Sequence, residues 1–136
     1  MNEEKCVFIV DESLPIGLLA NVTAIIGMTL GKMIPEIIGQ DVYDRNGYKH
    51  LGITQIPVPI LKGNHAIIKD ILQCSSQEED VKIVDFTVLA QGCRTYEEYI
   101  SKMKETDTNN LQYIGLAIFG KKKIVNKLTG NLSLLR

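Results

Sequence analysis

The order of apolar runs and polar breaks along the chain predicts strands and helices in alternation. The run Cys6–Val10 is apolar throughout, which indicates a strand that is covered on both faces and lies inside its sheet. A polar turn follows, and residues 17–31 then read as a helix. Further strands are predicted at 36–43, 48–54, 81–87, 112–119 and 132–135. Further helices are predicted at 65–73, from 95 onward and at 124–128. This alternation predicts an α/β fold, a mixed β-sheet flanked by helices.

The predicted helix at 17–31 is apolar almost all round and carries small residues on one side. Ala20, Ala24, Gly27 and Gly31 are spaced by four, three and four residues, so they form one stripe that would let a backbone approach closely. A helix of this kind is normally buried on more than one side. The sheet would cover one side and a second helix or a partner subunit the other, which predicts a homodimer through this helix. At roughly 15 residues, with glycines inside, the helix is too short for a membrane span, which needs about 20.

Turn-forming and helix-capping residues make the prediction for the middle of the chain more specific. Asn46 and Gly47 tolerate positive φ and predict a hairpin between the second and third strands, which we expect to form the lip of any pocket. Pro57 and Pro59 stand at alternate positions, which excludes a central strand and leaves an edge strand or an extended segment. Asn64 is a good N-cap for the helix that follows it.

Composition and charge narrow the class of protein. The 136 residues are 45% hydrophobic and 23% charged, which predicts a single domain over 1–136 with a core of its own. The formal net charge of -1 argues against nucleic acid or an anionic membrane as a partner. The first residues lack the pattern of a signal peptide, so we expect a cytoplasmic protein. Three cysteines without a C-x-x-C spacing predict neither a disulfide framework nor a zinc site, and no cofactor is predicted.

Polar residues at the ends of two predicted strands form the first candidate site. Asp11 and Glu12 follow the first strand, and Asp85 and Thr87 end the strand at 81–87. Ligands of open α/β sheets bind beyond the carboxyl ends of strands, so these residues could form a ligand site with the Pro57–Pro59 segment alongside. The two acids after the first strand have three possible roles: coordinating a cation, acting as a base, or capping the next helix.

A second candidate site is basic. Lys121 and Lys122, followed by a third lysine, come after a strand and open a helix, where backbone N–H groups and positive charge could hold a phosphate. A solvated basic turn explains the same lysines without a ligand. The two histidines have no metal-ligand spacing with other residues, so no metal site is predicted. Cys93 stands beside Arg94 and is a candidate nucleophile for which the sequence identifies no base.

Two ends of the chain resemble the type-two peptidyl-tRNA hydrolases. The segment from Lys5 to Ala24 resembles their opening strand, turn and helix, and the Thr129-Gly-x-Leu-x-Leu-Leu135 segment resembles their ending. The whole chain is closer to an uncharacterised bacterial family, domain of unknown function two thousand. Its pattern is matched by Val-Asp-Glu-x-Leu-Pro-x-Gly, Pro-Val-Pro-Ile-Leu, Val-Asp-Phe-Thr, Arg-Thr-Tyr-Glu-Glu-Tyr and Asn-Lys-Leu-Thr-Gly. The resemblance implies a peptidyl-tRNA-hydrolase-like three-layer architecture, and dimers are common among the hydrolases.

The catalytic pattern of the hydrolases is incomplete in this chain. They place a lysine after the glycine that opens the first helix, whereas Gly17 is followed here by Leu18. They also place a threonine four residues after a strand-end aspartate. Asp85 takes the place of that aspartate, but position 89 is leucine and Thr87 is only two residues along. These departures argue against peptidyl-tRNA hydrolysis.

Three functions follow as hypotheses. The first is a binding module for a small molecule or a phosphate-bearing ligand. The second is a hydrolase or transferase that uses Asp85 as a base and Thr87 as an orienting or nucleophilic hydroxyl. The third is a protein-interaction module that works through the apolar helix at 17–31.

Overall fold

The computed structural model describes residues 3–136 and contains a four-stranded mixed sheet with helices on both faces. The strands of this sheet are β1 (Glu4–Asp11), β4 (Ile60–Gly63), β5 (Lys82–Thr87) and β6 (Tyr113–Lys121). Two further strands, β2 (Val42–Tyr43) and β3 (Lys49–His50), form a separate hairpin. The helices are α1 (Ile16–Met33), α2 (His65–Ser75), α3 (Val88–Gly92), α4 (Tyr96–Lys104) and α5 (Lys122–Thr129). The predicted α/β fold with a mixed sheet is confirmed.

Strand β1 lies inside the sheet, as its unbroken apolar run predicts. The strand order is β4-β1-β6-β5, with β1 parallel to β4 and antiparallel to β6, and β5 antiparallel to β6. Pro57 and Pro59 lie in an extended segment outside any strand, which leads into the edge strand β4. The strand predicted at 132–135 is reduced to one bridge, from Leu134 to Leu61, because the chain touches the outer side of β4 only briefly.

The two faces of the sheet have separate cores. Along β1, Cys6, Phe8 and Val10 pack on the α1 side, whereas Val7 and Ile9 pack on the side of α2 and α5. Adjacent residues of a strand point to opposite faces, so a run that is apolar at every position can supply both cores.

Helix α1 differs from its prediction in how much of it is covered. Only Val22, Ile26 and Leu30 are fully buried, with Leu19 and Met33 partly buried beside them, so one side packs on the sheet and the outer side lies open within this chain. The predicted stripe of small residues does not provide a close approach, because a Cβ added at Gly27 or Gly31 would meet no atom within 4 Å. The close approach is provided instead by a glycine of β6.

That glycine is Gly115, directly opposite α1. A Cβ added there would collide with Val22 Cγ1 and would lie 2.9 Å from Ile26 Cδ1. Both partners are fully buried side chains of α1. The absence of a side chain at position 115 therefore sets how closely the helix lies on the sheet.

Residues 39–55, which we call the arm, form the predicted hairpin in shortened form. Strands β2 and β3 have two residues each, paired from Val42 to His50 and from Tyr43 to Lys49. The strand predicted from residue 36 begins later because Pro35–Ile37 is a 3-10 helix. Gly47 supplies the positive φ of the turn, at 87°.

Side-chain caps fix the starts of three helices. Asn64 Oδ1 accepts a hydrogen bond from the Ile67 N–H at 2.9 Å, as predicted for an N-cap. Thr95 Oγ1 does the same for α4, accepting from the Glu98 N–H. Thr87 caps α3, a short helix that the sequence interpretation missed because it begins directly at the end of β5.

Candidate ligand site

A cavity of about 480 Å³ opens beside the edge strand β5, between α1 and α4. We call it the β5 cavity. Its walls combine apolar and aromatic side chains with a few polar ones, which is the usual composition of a small-molecule site. The lining includes Ile25, Thr29, Asp85, Arg94, Tyr96 and Tyr99.

Asp85 is the acid of the β5 cavity. It lies opposite Leu116 in the sheet register, so its side chain is on the α2 and α5 side of the sheet, whereas Ile25 and Thr29 line the cavity from the α1 side. Asp85 lines the cavity at the open edge of β5, where its charge also acts on Tyr99. The residue is exposed at the edge of the sheet, but atoms crowded around its carboxyl desolvate it and raise its pKa above the usual 3.8. A raised pKa makes a carboxylate a better proton acceptor, and groups of this kind are often found at functional sites.

Two tyrosines of α4 form an aromatic wall. The rings of Tyr96 and Tyr99 meet edge to face, with 5.5 Å between their centroids. Burial raises the pKa of Tyr99, and the negative charge of Asp85 raises it further. The Tyr99 hydroxyl therefore keeps its proton at neutral pH and can donate a hydrogen bond to a ligand.

Arg94 brings a positive charge to the same cavity. Among residues 3–136 it forms no salt bridge, so its guanidinium is free to pair with an anionic group. The neighbouring Cys93 also lines the cavity, and its thiol donates a hydrogen bond to the Leu89 carbonyl oxygen at 3.2 Å.

Thr87 lies close to Asp85 along β5 but has a structural contact of its own. Its side chain is buried, and its hydroxyl oxygen accepts a hydrogen bond from the Ala90 N–H at 3.2 Å. Thr87 is not part of the cavity lining. The structure thus places Asp85 at the cavity and Thr87 at the N-cap of α3; the catalytic role of either remains a prediction.

Asp11 and Glu12 lie at the same end of the sheet as Thr87 but away from the cavity. Strand β6 separates β1 from β5, so the two strand ends are about 10 Å apart. Asp11 Oδ1 accepts hydrogen bonds from the Ser13 N–H at 3.0 Å and the Ser13 hydroxyl at 2.7 Å, which closes the turn before α1. Glu12 is exposed. The Pro57–Pro59 segment leads into β4, at the opposite edge of the sheet from β5.

Lys121 and Lys122 lie at the other end of β6. Asp85 pairs with Leu116, five positions before Lys121, which corresponds to about 17 Å along the strand. Both lysines are exposed, and Lys121 Nζ is 3.7 Å from Asp80 Oδ2. The structure therefore does not bring the basic residues and the strand-end acids into one site.

The interpretation of the sequence missed the α1 and α4 walls of the cavity. The sequence places Tyr96 and Tyr99 only in a helix, although they lie in the segment Arg94-Thr-Tyr-Glu-Glu-Tyr99, one of the motifs that carry the family resemblance. That motif was the feature of the sequence that could have indicated the α4 wall of the cavity. Nothing in the sequence marks Ile25 and Thr29 as cavity residues, because their position there depends on how α1 crosses the sheet.

The histidines have partners within the protein. His65 Nδ1 accepts a hydrogen bond from the Tyr113 N–H at 3.0 Å, and the two rings are stacked with centroids 5.9 Å apart. His50 Nε2 lies 2.9 Å from Asp44 Oδ2 in the arm. Within the described part of the chain, no group of three or more His, Cys, Asp and Glu residues is placed to hold a metal ion.

Helix α1 passes a length and composition test for a membrane span. It has 18 residues, longer than the roughly 15 predicted, and its mean hydropathy is 1.5. In the structure it packs on the sheet through Val22, Ile26 and Leu30. If α1 left the sheet to enter a membrane, the core residues on that face of the sheet would lose their cover.

Comparisons with known proteins match the chain to a sequence family and to one solved fold, and they assign no activity. The sequence model of a family described as "Protein of unknown function (DUF2000)" matches residues 4–136. The solved structure of a protein of unknown function from Agrobacterium tumefaciens strain C58 is similar over 100% of both chains, with a TM-score of 0.90 and 19% sequence identity. At that identity the likeness concerns the fold alone. No curated protein matches the sequence.

Proposed function

This chain belongs to the DUF2000 family of proteins of unknown function, and we propose that it is a small-molecule binding module whose site is the β5 cavity. The observation that carries the proposal is the convergence of Asp85, Arg94 and Tyr99 on one cavity of about 480 Å³. A few polar groups in an otherwise apolar and aromatic pocket fix the orientation of a ligand, while the walls supply most of the buried area.

The chemistry of the lining indicates a class of ligand. Tyr96 and Tyr99 offer aromatic surface for a flat or apolar body, and the unpaired Arg94 guanidinium offers two parallel donors for a carboxylate or phosphate. Asp85 and the Tyr99 hydroxyl supply an acceptor and a donor. We expect a ligand with an aromatic or apolar body and one anionic group, held without Lys121 or Lys122.

An enzyme using the same cavity is the second candidate. The raised pKa of Asp85 favours it, because a carboxylate that takes up a proton more readily is a better general base. Thr87 would act in this scheme by holding α3 in place, since its oxygen is already engaged with the Ala90 N–H.

We propose a peptidyl-tRNA-hydrolase-like architecture in a cytoplasmic protein, without that enzyme's substrate-engaging cation, because Leu18 follows Gly17. A protein-interaction role for α1 is the third candidate; the large exposed part of that helix supports it.

Native mass spectrometry of protein purified from cells, followed by mild denaturation, tests the proposal. We expect a co-purifying small molecule that Arg94→Gln and Asp85→Asn lose and that the control Asp107→Asn, on an exposed loop residue, keeps. A ligand retained equally by all three variants would place the site elsewhere and refute the proposal. Once the ligand is known, turnover that Asp85→Asn lowers by roughly a hundredfold would favour the enzyme over the binding module.

A further inference from the structure

The outer face of α1 exposes a large apolar surface to solvent. Ile16 is 85% exposed and Met28 is 77% exposed, and Ala20 and Ala24 beside them are exposed as well. No residue from 16 to 31 is charged. Contiguous apolar surface of this kind on a protein usually marks an interaction site.

The arm exposes a second apolar surface. Five of its large side chains are 56–77% exposed: Val42, Tyr43, Tyr48, Leu51 and Ile53. Strands β2 and β3 pair with each other and join no other sheet in the described chain.

The arm is held in shape although little packs on it. Asp44 Oδ1 accepts hydrogen bonds from the Asn46 and Tyr48 N–H groups at 3.0 and 3.1 Å, which fixes the turn. At the base, the Gly39 N–H donates to the Ile53 carbonyl oxygen at 2.9 Å. An arm that is already ordered loses little conformational entropy when its apolar side chains are covered.

We propose that two copies of this chain form a twofold dimer in which the arm of each protomer covers the outer face of α1 of the other. The seven large apolar side chains of the arm and the outer face of α1 are each 56–85% exposed, so together they offer an area comparable to the roughly 800 Å² that a standard interface buries on each partner. The exchange covers both surfaces in both copies and leaves neither open.

A groove beside α1 provides a place for the partner's arm. It has a volume of about 440 Å³ and is almost entirely apolar, with Ala24, Gly27 and Gly31 on the α1 side and Ile38 and Thr54 at the base of the chain's own arm. Because a Cβ at either glycine would meet no atom, the groove is open along the helix. An apolar side chain of the arm can enter it without displacing anything. The face also lacks the charges that an acidic or basic partner would need for recognition.

Sedimentation velocity over a wide range of protein concentration tests this arrangement with three variants. Leu51→Asp charges the arm and Met28→Asp charges α1, each at an exposed position where folding is not at stake. Ile100→Asp is the matched control on α4, where the side chain is 46% exposed outside both surfaces. We expect the wild type and the control to sediment as dimers of the 15.2 kDa chain, and each of the other two variants to dissociate with a dimer Kd raised about tenfold or more.

Mixing the two dissociated variants separates this dimer from its alternatives. The Leu51→Asp protomer keeps a wild-type helix and the Met28→Asp protomer keeps a wild-type arm, so their heterodimer contains one unaltered contact and should form more readily than either homodimer. A Leu51→Asp variant that remains dimeric would show a helix-to-helix interface, and a Met28→Asp variant that remains dimeric would show an arm-to-arm one. Either result would overturn the proposal. A wild type that stays monomeric at every concentration would overturn it as well. So would a monomeric wild type that binds phosphatidylcholine vesicles in a flotation assay, because the apolar surfaces would then face a membrane.

Discussion

Gly115 lies in β6 where α1 crosses the sheet, and replacing it with alanine should force the helix away from the strand. The added Cβ would collide with Val22 Cγ1 and come within 2.9 Å of Ile26 Cδ1. Ile26 can swing its terminal methyl aside. Val22 cannot, because a β-branched side chain in a helix is held in essentially one rotamer. The backbone of α1 must therefore shift.

Overpacking of this kind in a closed core costs about 1–3 kcal/mol. The substitution recovers part of this overpacking cost, because glycine in a strand is less favourable than alanine by roughly 0.5–1 kcal/mol. We expect Gly115→Ala to lower the free energy of unfolding by about 1–2 kcal/mol, which corresponds to a Tm lower by about 3–8 °C for a 136-residue domain. Because Ile25 and Thr29 on the same helix line the β5 cavity, the shift should also weaken ligand binding.

Urea unfolding followed by circular dichroism measures the change, with Gly17→Ala as the matched control. Gly17 is in the first turn of α1, and a Cβ there meets no atom, so this variant should be equal to the wild type or up to about 1 kcal/mol more stable. In a double-mutant cycle, Val22→Ala should relieve the collision and couple favourably with Gly115→Ala by about 1 kcal/mol. Equal stability of Gly115→Ala and the wild type, or a cycle without coupling, would refute this account of the helix–sheet spacing.

Three further predictions concern single side chains. Burial raises the pKa of Cys6 to about 12, so iodoacetamide at mildly alkaline pH should label exposed Cys74 in the native protein and reach Cys6 only after unfolding; equal labelling rates would contradict the burial. The pKa of Asp85 is raised in the folded state, so the wild type loses stability as pH rises from 3.8 through the folded pKa. Asp85→Asn should therefore unfold at a higher urea concentration than the wild type at pH 7, and the difference should vanish below about pH 3.8; a less stable variant at pH 7 would show that the carboxylate is favourably paired. Asn64→Ala should lower the unfolding free energy by about 1 kcal/mol by removing the acceptor for the Ile67 N–H, while Asn64→Ser should retain most of it.

The sheet could be predicted from the sequence because its signals are local. The apolar run of β1 requires cover on both faces, and the prolines before β4 exclude it from the interior. The environment of α1 could not be predicted in the same way. A helix that is apolar all round reads as buried all round, yet in this chain only one side packs, and the close approach comes from Gly115, about a hundred residues away in sequence.

Of the residues that line the candidate site, the sequence could predict only Asp85. Asp85 stands at a strand end, which is a general position for ligand sites, and the structure places it at the β5 cavity. Asp11 also stands at a strand end, but its carboxylate accepts hydrogen bonds from Ser13. The local sequence does not decide whether an acid in this position binds a ligand or closes a turn. The remaining walls come from α1 and α4, whose positions around β5 depend on the packing of the whole sheet.

The order of the strands also determines when the protein can fold. Strand β1 pairs with β6, from Val10 to Gly115, so the middle of the sheet joins segments separated by about a hundred residues. During synthesis β1 and α1 leave the ribosome long before β6, and Gly115 forms the floor on which α1 packs. We expect this domain to fold late and slowly, with α1 as the segment that chaperones meet first.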